Sequence, residues 1–376
     1  MSWPVVTLGE LITIRKGKKP TTTVNGPEPG ARPCLLIDEV RGADPQVFTH
    51  DTLGTDVQAN DICIVWDGAN AGTVGYGLTG LIGSTVARIR LNNNGQFLTP
   101  YIGRLLQSQF QQINVAAAGR GATIPHVDKV MLEGLKIPLP PLAEQQRIAR
   151  ILDQADTLRR LRARALDQVN RLRQAVFYQM FGENNDVTIE KLENLIKIRS
   201  SLSDPRTEDN KTMPHVGPEH IAPSSGTISW DRVRTCEDDG VISGKYRFDA
   251  GEIIFSKIRP YLNKVAVADR SGMCSADMYV LNPMPEKLTT EYTHFILGSR
   301  KFLSYAETVS NRANIPKLNR KQILAFNCPV PTLKAQRQFS LYIQVLYNEA
   351  NHHQSALTAA EALFASLQHR AFQGEL

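Results

Sequence analysis

The sequence of 376 residues is poor in the features that announce a catalyst, a metal site or a membrane span. Its five cysteines, Cys34, Cys63, Cys236, Cys274 and Cys328, are odd in number and widely spaced, with no CxxC and no cysteine-histidine cluster. That pattern excludes a disulfide frame or a zinc site and fits reduced, buried thiols of a cytoplasmic protein. No stretch approaches the roughly 18 apolar residues that would span a bilayer. The segment MSWPVVTLGE lacks the charged and apolar blocks of a secretory signal. A cytoplasmic protein with no membrane partner is therefore expected. There is no HExxH, and His352 and His353 are adjacent, so on a helix they point about 100° apart and cannot share a metal. The glycine-rich DGANAGTVGYG at 67–77 lacks both GxGxxG and GK[ST], and reads as turns instead of a phosphate cradle. The nearest string to a base-methylating NPPY loop, NPMP at 282–285, has no aromatic residue to stack on a base. With no nucleophile elbow either, no catalytic residue, no metal and no cofactor is expected in this chain.

Acid is also missing, but only locally. No Asp or Glu occurs from Gly68 to Val127 or from Thr308 to Asn348, although the whole chain is nearly balanced at 43 Lys plus Arg against 37 Asp plus Glu. Net charge of +6 says little, whereas segregated basic faces with interleaved amides and aromatics are the footprint of nucleic-acid binding. Arginine and lysine meet phosphates or guanine, and asparagine can read adenine. The candidates in the first half are Lys16, Lys18, Lys19, Trp66, Asn70, Arg88, Arg90 and Arg120. In the second they are Lys257, Arg259, Tyr261, Asn263, Lys264 and Arg312.

What the sequence has is an internal repeat, the most informative feature to find first. DICIVW at 61–66 matches EIIFSK at 252–257, TIP at 123–125 matches NIP at 314–316, and IPLPPLAEQQ at 137–146 matches CPVPTLKAQR at 328–337, all at an offset of 191. VTLGEL at 6–11 matches VTIEKL at 187–192 at an offset of 181, which places one insertion of about ten residues early in the second half. Strands are expected at ICIVW, VARIRL (86–91) and IIFS (253–256), and amphipathic helices at 100–112 and 290–305.

Each half ends in a long proline-free and glycine-free run that follows a proline cluster, the position where proline suits a helix start. Apolar residues recur in heptad steps at Ile148, Ile151, Ala155, Leu158, Ala165, Val169, Leu172 and Val176, interrupted by Arg162. In the second run the seam is Phe339, Ile343, Leu346, Ala350, Leu357, Ala360, Phe364, Leu367 and Ala371, interrupted by His353. Such helices, about 60 Å long at 1.5 Å per residue, need a partner along their length and most simply pair with each other. The expected segments are 1–141 and 183–331 as mixed regions, and 142–182 and 332–376 as helices. The first helix is the more basic, with Arg159, Arg160, Arg162 and Arg164 in one cluster that DNA or an acidic partner surface would suit.

These segments together resemble the specificity subunit of Type I restriction-modification systems. The resemblance rests on VTLGEL, DICIVWDGANAGTVGYG, GEIIFSKIRPYLNK, GATIPH and above all IPLPPLAEQQRI, and covers essentially the whole chain. It implies an α+β fold with internal duplication, in which two mixed α/β target recognition domains are separated by two long antiparallel coiled-coil helices. Each domain would read one half of a bipartite, asymmetric site in double-stranded DNA. Two modification (methyltransferase) subunits carrying S-adenosylmethionine, and restriction subunits carrying ATP, Mg and the translocase and nuclease activities, would be the partners. The resemblance places Thr123, His126, Asn314 and Lys317 near DNA; alternatively, TIP and NIP only begin the turn into each domain's last strand. It also points to Leu142, Gln145, Arg147, Ile148, Leu333, Gln336 and Phe339, at the two helix starts, as contacts for modification subunits. The second start departs from the first, with Lys334, Ala335 and Arg337 where Ala143, Glu144 and Gln146 stand, so the two need not bind equally. An orphan DNA adaptor without a nuclease is the other class consistent with the residues.

Overall fold

A computed structural model describes residues 3–92, 95–118, 125–182, 187–310 and 315–376. The chain forms two compact units, residues 1–162 with 355–376, and residues 163–354. Each unit takes one part of both long helices, so the units cut across the four segments expected from sequence.

In the first unit, the strands Ile12–Lys16, Val86–Leu91, Ile62–Val65 and Val74–Tyr76 form an antiparallel sheet in that order. A second sheet orders Val24–Asn25, Val47–Thr49, Arg32–Leu35, Gly80–Ile82 and Thr55–Val57, with a parallel central pair in which Cys34 faces Leu81. Val5–Thr7 pairs with Lys136–Pro138. The strand Ile62–Val65 is buried along its whole length because its two faces serve two cores. Ile62 and Ile64 pack with Leu8, Ile89, Tyr101 and Ile148, while Cys63 and Val65 pack with Leu35, Val57, Ile82 and Val86. A strand covered on both faces reads as a continuous apolar run instead of an alternation.

The second unit repeats this plan. Ile196–Ile198, Met278–Pro283, Ile253–Ser256 and Val265–Val267 form the first sheet. Arg234–Thr235, Pro214–Val216, Gly272–Cys274 and Tyr246–Phe248 form the other, again with a parallel pair, His215 facing Met273. Ile253 and Phe255 face one core and Ile254 the other.

Strand pairing corrects the alignment of the repeats near their starts. Leu8 donates its N–H to Leu135 and Leu192 its own to Phe326, both at 2.9 Å, and both leucines are fully buried. The structural equivalent of LGELITI is therefore LENLIKI at 192–198, three residues away from the VTLGEL/VTIEKL match. Burial fixes the register, since Ile189, which that match places opposite Leu8, is exposed. The ten-residue insertion falls between the strands Pro214–Val216 and Tyr246–Phe248, whose first-unit counterparts are Arg32–Leu35 and Thr55–Val57.

Each amphipathic segment also breaks in two. Thr99–Ser108 is followed by Phe110–Ala118, and Thr290–Leu297 by Arg300–Ser310. In the second unit Gly298 ends one helix and the Ser299 hydroxyl accepts the Phe302 N–H of the next, the arrangement by which small and hydroxylated residues satisfy helix ends.

The long helices are Leu142–Phe181 and Leu333–Gln373. Within each unit their segments run antiparallel. In the first unit Arg147 donates to the Leu376 carbonyl at 2.7 Å and Arg159 lies 5.0 Å from the Phe364 ring. In the second, Phe177 and Phe339 rings are 5.8 Å apart, and Arg173 sits 3.8 Å from the Tyr347 ring. The seam of the second helix is as expected, every position from Phe339 to Ala371 being buried or half-buried. That of the first is shifted. Leu158 and Leu172 are 42% and 49% exposed, while Leu152, Asp156, Arg173 and Phe177 are buried. Polar residues with partners, and not only apolar ones, line this contact.

Candidate nucleic-acid interface

In both units the loop after the doubly buried strand is fastened by the same backbone bonds. Asp67 bridges His126, and Ile258 bridges Lys317. The Gly68 and Arg259 N–H groups donate to the Pro125 and Pro316 carbonyls at 2.8 Å, and the N–H groups of Val127 and Leu318 return to Trp66 and Lys257 at 2.8 and 2.9 Å. The TIP and NIP segments thus end against this loop. Two positions in each loop are left-handed: Gly68 and Gly72 at φ 98° and 97°, Arg259 and Asn263 both at 49°. Glycine takes this conformation freely, whereas for other residues it is strained and persists where surrounding structure imposes it.

The backbone is shared and the side chains are not. Trp66, Gly68, Asn70 and His126 correspond to Lys257, Arg259, Tyr261 and Lys317. Arg259 is exposed, and its guanidinium has no hydrogen-bond partner among the described residues; Tyr261 is 48% exposed. Asn70 accepts from Arg41, a residue the charge pattern did not single out because it lies alone in its loop. Lys16 pairs with Asp67 at 2.7 Å and Lys317 with Asp277 at 3.1 Å, so an acid stands beside each bridged loop. Trp66 and His126 are half-buried.

Lys18 and Lys19 are exposed and, with Arg15, Thr21, His50 and Asp51, line an open groove of about 640 Å³. The Thr21 N–H and the hydroxyls of Thr22 and Thr21 hold the Asp51 carboxyl below its usual range, keeping it ionised there.

Several expected contacts are committed inward. Arg90 forms two bonds to Asp61, at 2.6 and 2.7 Å, and that carboxylate is fully covered. Burial would raise the Asp61 pKa, but the Arg90 hydrogen bonds, the Gln58 N–H and the charges of Arg90 and Arg88 outweigh it and lower it. Half-buried Arg88 donates to the Asp56 carbonyl. Lys257 is buried, donates to the Ala276 carbonyl and lies 4.3 Å from the Tyr279 ring; burial and neighbouring Lys317 lower its pKa. Lys264 donates to the Pro218 carbonyl at 2.8 Å, and Asn263 is buried against Ser224. The polar ends of these side chains are thus engaged within the domain. The period-two alternation of VARIRL puts Arg88 and Arg90 on one face but cannot tell a solvent face from a partner carboxylate. Arg120, Thr123, Arg312 and Asn314 lie outside the described residues.

The helix starts are corrected in the same way. Gln145 and Gln336 are 1% and 0% exposed. Gln145 accepts from the Leu98 N–H and donates to the Gln96 and Pro140 carbonyls, at 3.0, 2.9 and 2.9 Å. Gln336 repeats these bonds with Thr289, Lys287 and Pro331 at 2.9, 3.0 and 2.9 Å. Ile148 and Phe339 are core residues. The four clamp helix to sheet domain and are buried within the chain. Arg147 pairs with Glu144 at 2.8 Å, and Leu142 remains exposed, with Leu333 half-buried. Of the basic cluster further along the helix, Arg159 and Arg160 turn back to Asp156 at 2.6 and 2.9 Å.

All five cysteines are buried and free, and burial pushes Cys63, Cys274 and Cys328 up to about 12. Among the described residues, no helix is long and apolar enough to cross a membrane, and no group of three or more His, Cys, Asp or Glu is placed to hold a metal.

The sequence profile of the Type I restriction modification DNA specificity domain matches twice, over residues 1–171 and 184–359. The chain is 30% identical to the EcoDI specificity subunit of a type I restriction enzyme from Escherichia coli, covering 74% of this chain and 70% of that one. It is 24% identical to the MjaVIII specificity subunit from Methanocaldococcus jannaschii, covering 92% and 86%. Its fold is similar to that of the S subunit of a type I restriction-modification system from M. genitalium, with TM-score 0.65 at 16% identity over 99% of this chain and 96% of the other. With both of its repeats matched, the chain belongs to the family of type I restriction-modification DNA specificity proteins.

Proposed function

We propose that the chain is the DNA-reading subunit of a type I restriction-modification complex, with each sheet domain reading one half of a bipartite site and the long helices setting the distance between halves. One observation carries the reading: two loops with the same backbone fastening present different side chains at every matched position named above. Identical scaffolds with unlike side chains read unlike sequences, so the site is asymmetric. Exposed Lys18 and Lys19 supply phosphate contacts, which give salt-sensitive affinity, while Arg259, Tyr261, Asn70 and His126 supply base-edge contacts, which discriminate. Holding two weak readers in one molecule makes the second binding event intramolecular, so modest contacts in each half suffice.

In this reading the chain performs no chemistry. S-adenosylmethionine, ATP and Mg belong to two modification subunits and to restriction subunits, and the assembly works in the cytoplasm. Leu142 and Leu333 are the residues at the helix starts that remain available to a modification subunit. The test is selection of duplexes from a random library by the complex with its modification subunits. Two short defined blocks separated by a constant gap are expected; one continuous block, or no enrichment, overturns the reading.

A further inference from the structure

The repeats differ instructively where a helix packs on each sheet domain. In the first unit Arg104 is buried, donates to Asp153 at 2.8 Å and to Asp156 at 3.1 Å, and lies 5.6 Å from the Phe364 ring. The offset of 191 carries Arg104 to Phe295, Asp153 to Gln344 and Asp156 to Tyr347, and brings Phe364 back to Arg173. Arginine and phenylalanine have exchanged places. Arg173, now on the helix, lies 5.8 Å from the Phe295 ring and 3.8 Å from that of Tyr347.

The exchange keeps the cation over an aromatic ring and loses both carboxylates. Arg173 is 4% exposed, has no ion pair among the described residues, and donates from Nη1 to Asn170 at 3.1 Å. Its buried Nε–H has no partner. A buried charge without a counter-charge is unfavourable, which is why such charges are paired in folded proteins. His294 does not change that balance. Burial first, and then the Arg173 charge, push its pKa down to about 4, so it is neutral at pH 7.

Beside Arg173 lies a cavity of about 40 Å³ whose lining includes Ser224, Gly226, Asn263 and His294. At roughly 10–15 Å³ for each water-sized occupant, it admits a monatomic ion with a water or two. Asn263 is 92% buried and its Oδ1 has no partner either. Residues 224–226 fall in the stretch between Val216 and Tyr246 that is ten residues longer than its first-unit counterpart. Gly226 is left-handed at φ 71°, and a Cβ there would stand 3.0 Å from the His294 ring. The residues 224–226 that line this side of the cavity are thus peculiar to the second unit.

We infer that this cavity is a binding site for a small inorganic anion of the size of chloride, which takes the place that Asp153 and Asp156 fill beside Arg104. The Arg173 Nε–H, buried and without a partner among the described residues, is the donor assigned to it. Asn263 joins it with its amide turned so that Nδ2 faces the ion and Oδ1 accepts from the Ser224 hydroxyl, the two amide orientations being nearly indistinguishable in shape. Ser224 also donates its backbone N–H to the Asn263 carbonyl at 3.1 Å, so the ion braces the end of the loop that carries Arg259 and Tyr261. The site stands on the buried charge and not on the DNA-reading role.

Two measurements on the full chain decide it. Crystals grown in sodium bromide are expected to show an anomalous difference peak within hydrogen-bonding reach of the Arg173 guanidinium. In solution, Tm in sodium bromide or chloride is expected to exceed Tm in sodium gluconate at equal ionic strength. Ser224→Ala should reduce that difference and Arg173→Met abolish it, while Arg171→Met, which alters an exposed arginine on the same helix, leaves it as in the parent. Bromide crystals with only water in the cavity, or a halide effect that survives Arg173→Met, overturn the assignment.

Discussion

Arg259→Gly is expected to make the protein more stable and a worse reader. Arg259 sits at φ 49° and ψ 61°, a conformation that costs an L-residue about 1–2 kcal/mol relative to the right-handed region. Its matched residue is Gly68, which adopts φ 98°. The side chain is exposed, and the backbone bonds to Pro316 and from Leu262 survive the substitution. Strain relief is offset by the extra freedom that glycine gives the unfolded chain, about 0.5–1 kcal/mol. The net gain is then up to about 1.5 kcal/mol, read as a rise in urea midpoint at constant m. Loss of a base contact costs about 1–3 kcal/mol of discrimination, so affinity for one half-site falls roughly 5- to 150-fold while preference at the other is unchanged. Affinities are compared at one salt concentration by titrating duplexes mutated in either half. A variant that loses stability by 1 kcal/mol or more, or that reads both halves as before, refutes the link between strain and reading at this loop.

Gln145→Ala leaves the covered Pro140 carbonyl and the Leu98 N–H unsatisfied. At about 1–3 kcal/mol for each buried polar group so orphaned, a loss of about 2–6 kcal/mol is expected in urea denaturation, with faster exchange of the Leu98 amide, whereas exposed Leu142→Ala stays within about 0.5 kcal/mol; equal effects would argue against the clamp. Arg90→Ala takes two hydrogen bonds from the covered Asp61 carboxylate and, with Arg90 itself partly exposed, is expected to cost about 1–3 kcal/mol. Because the folded Asp61 pKa is depressed, its contribution is fully present above the unfolded value near pH 4 and is lost as pH falls through the lower folded value; Asp61→Asn should therefore flatten the acid limb of stability against pH, and an unchanged limb argues against the pairing. Lys18→Ala with Lys19→Ala should weaken binding to all duplexes alike and lower the slope of log affinity against log salt by about two; a change in sequence preference instead would make these lysines readers.

Much of the fold was legible because burial leaves simple traces. Continuous apolar strands such as Ile62–Val65 and the regular seam of the second helix follow from what each face touches. The seam of the first helix is not legible where polar residues are buried: Asp156 and Arg173 occupy the contact line because Arg104, Tyr347 and Phe295 receive them, and no periodicity of apolar residues reveals that. VTLGEL and VTIEKL look alike, but the buried leucine sets the register, and a six-residue string slides easily. Lysines and arginines were found by type, yet type does not tell an outward Arg259 from an inward Arg90, whose partner is distant in sequence. Gln145 and Gln336 stood out as a repeated motif; the repetition reflects a clamp that each domain needs, a structural demand that leaves the same mark as a binding site.

The most direct test is methylome sequencing of cells that express this chain with its modification subunit. The expected result is a single new adenine-methylated motif made of two defined, unlike blocks with a gap of fixed length, of which only one block relaxes in Arg259→Gly. No new methylation, an unbroken motif, or relaxation of both blocks together would contradict the assignment of one reader to each repeat.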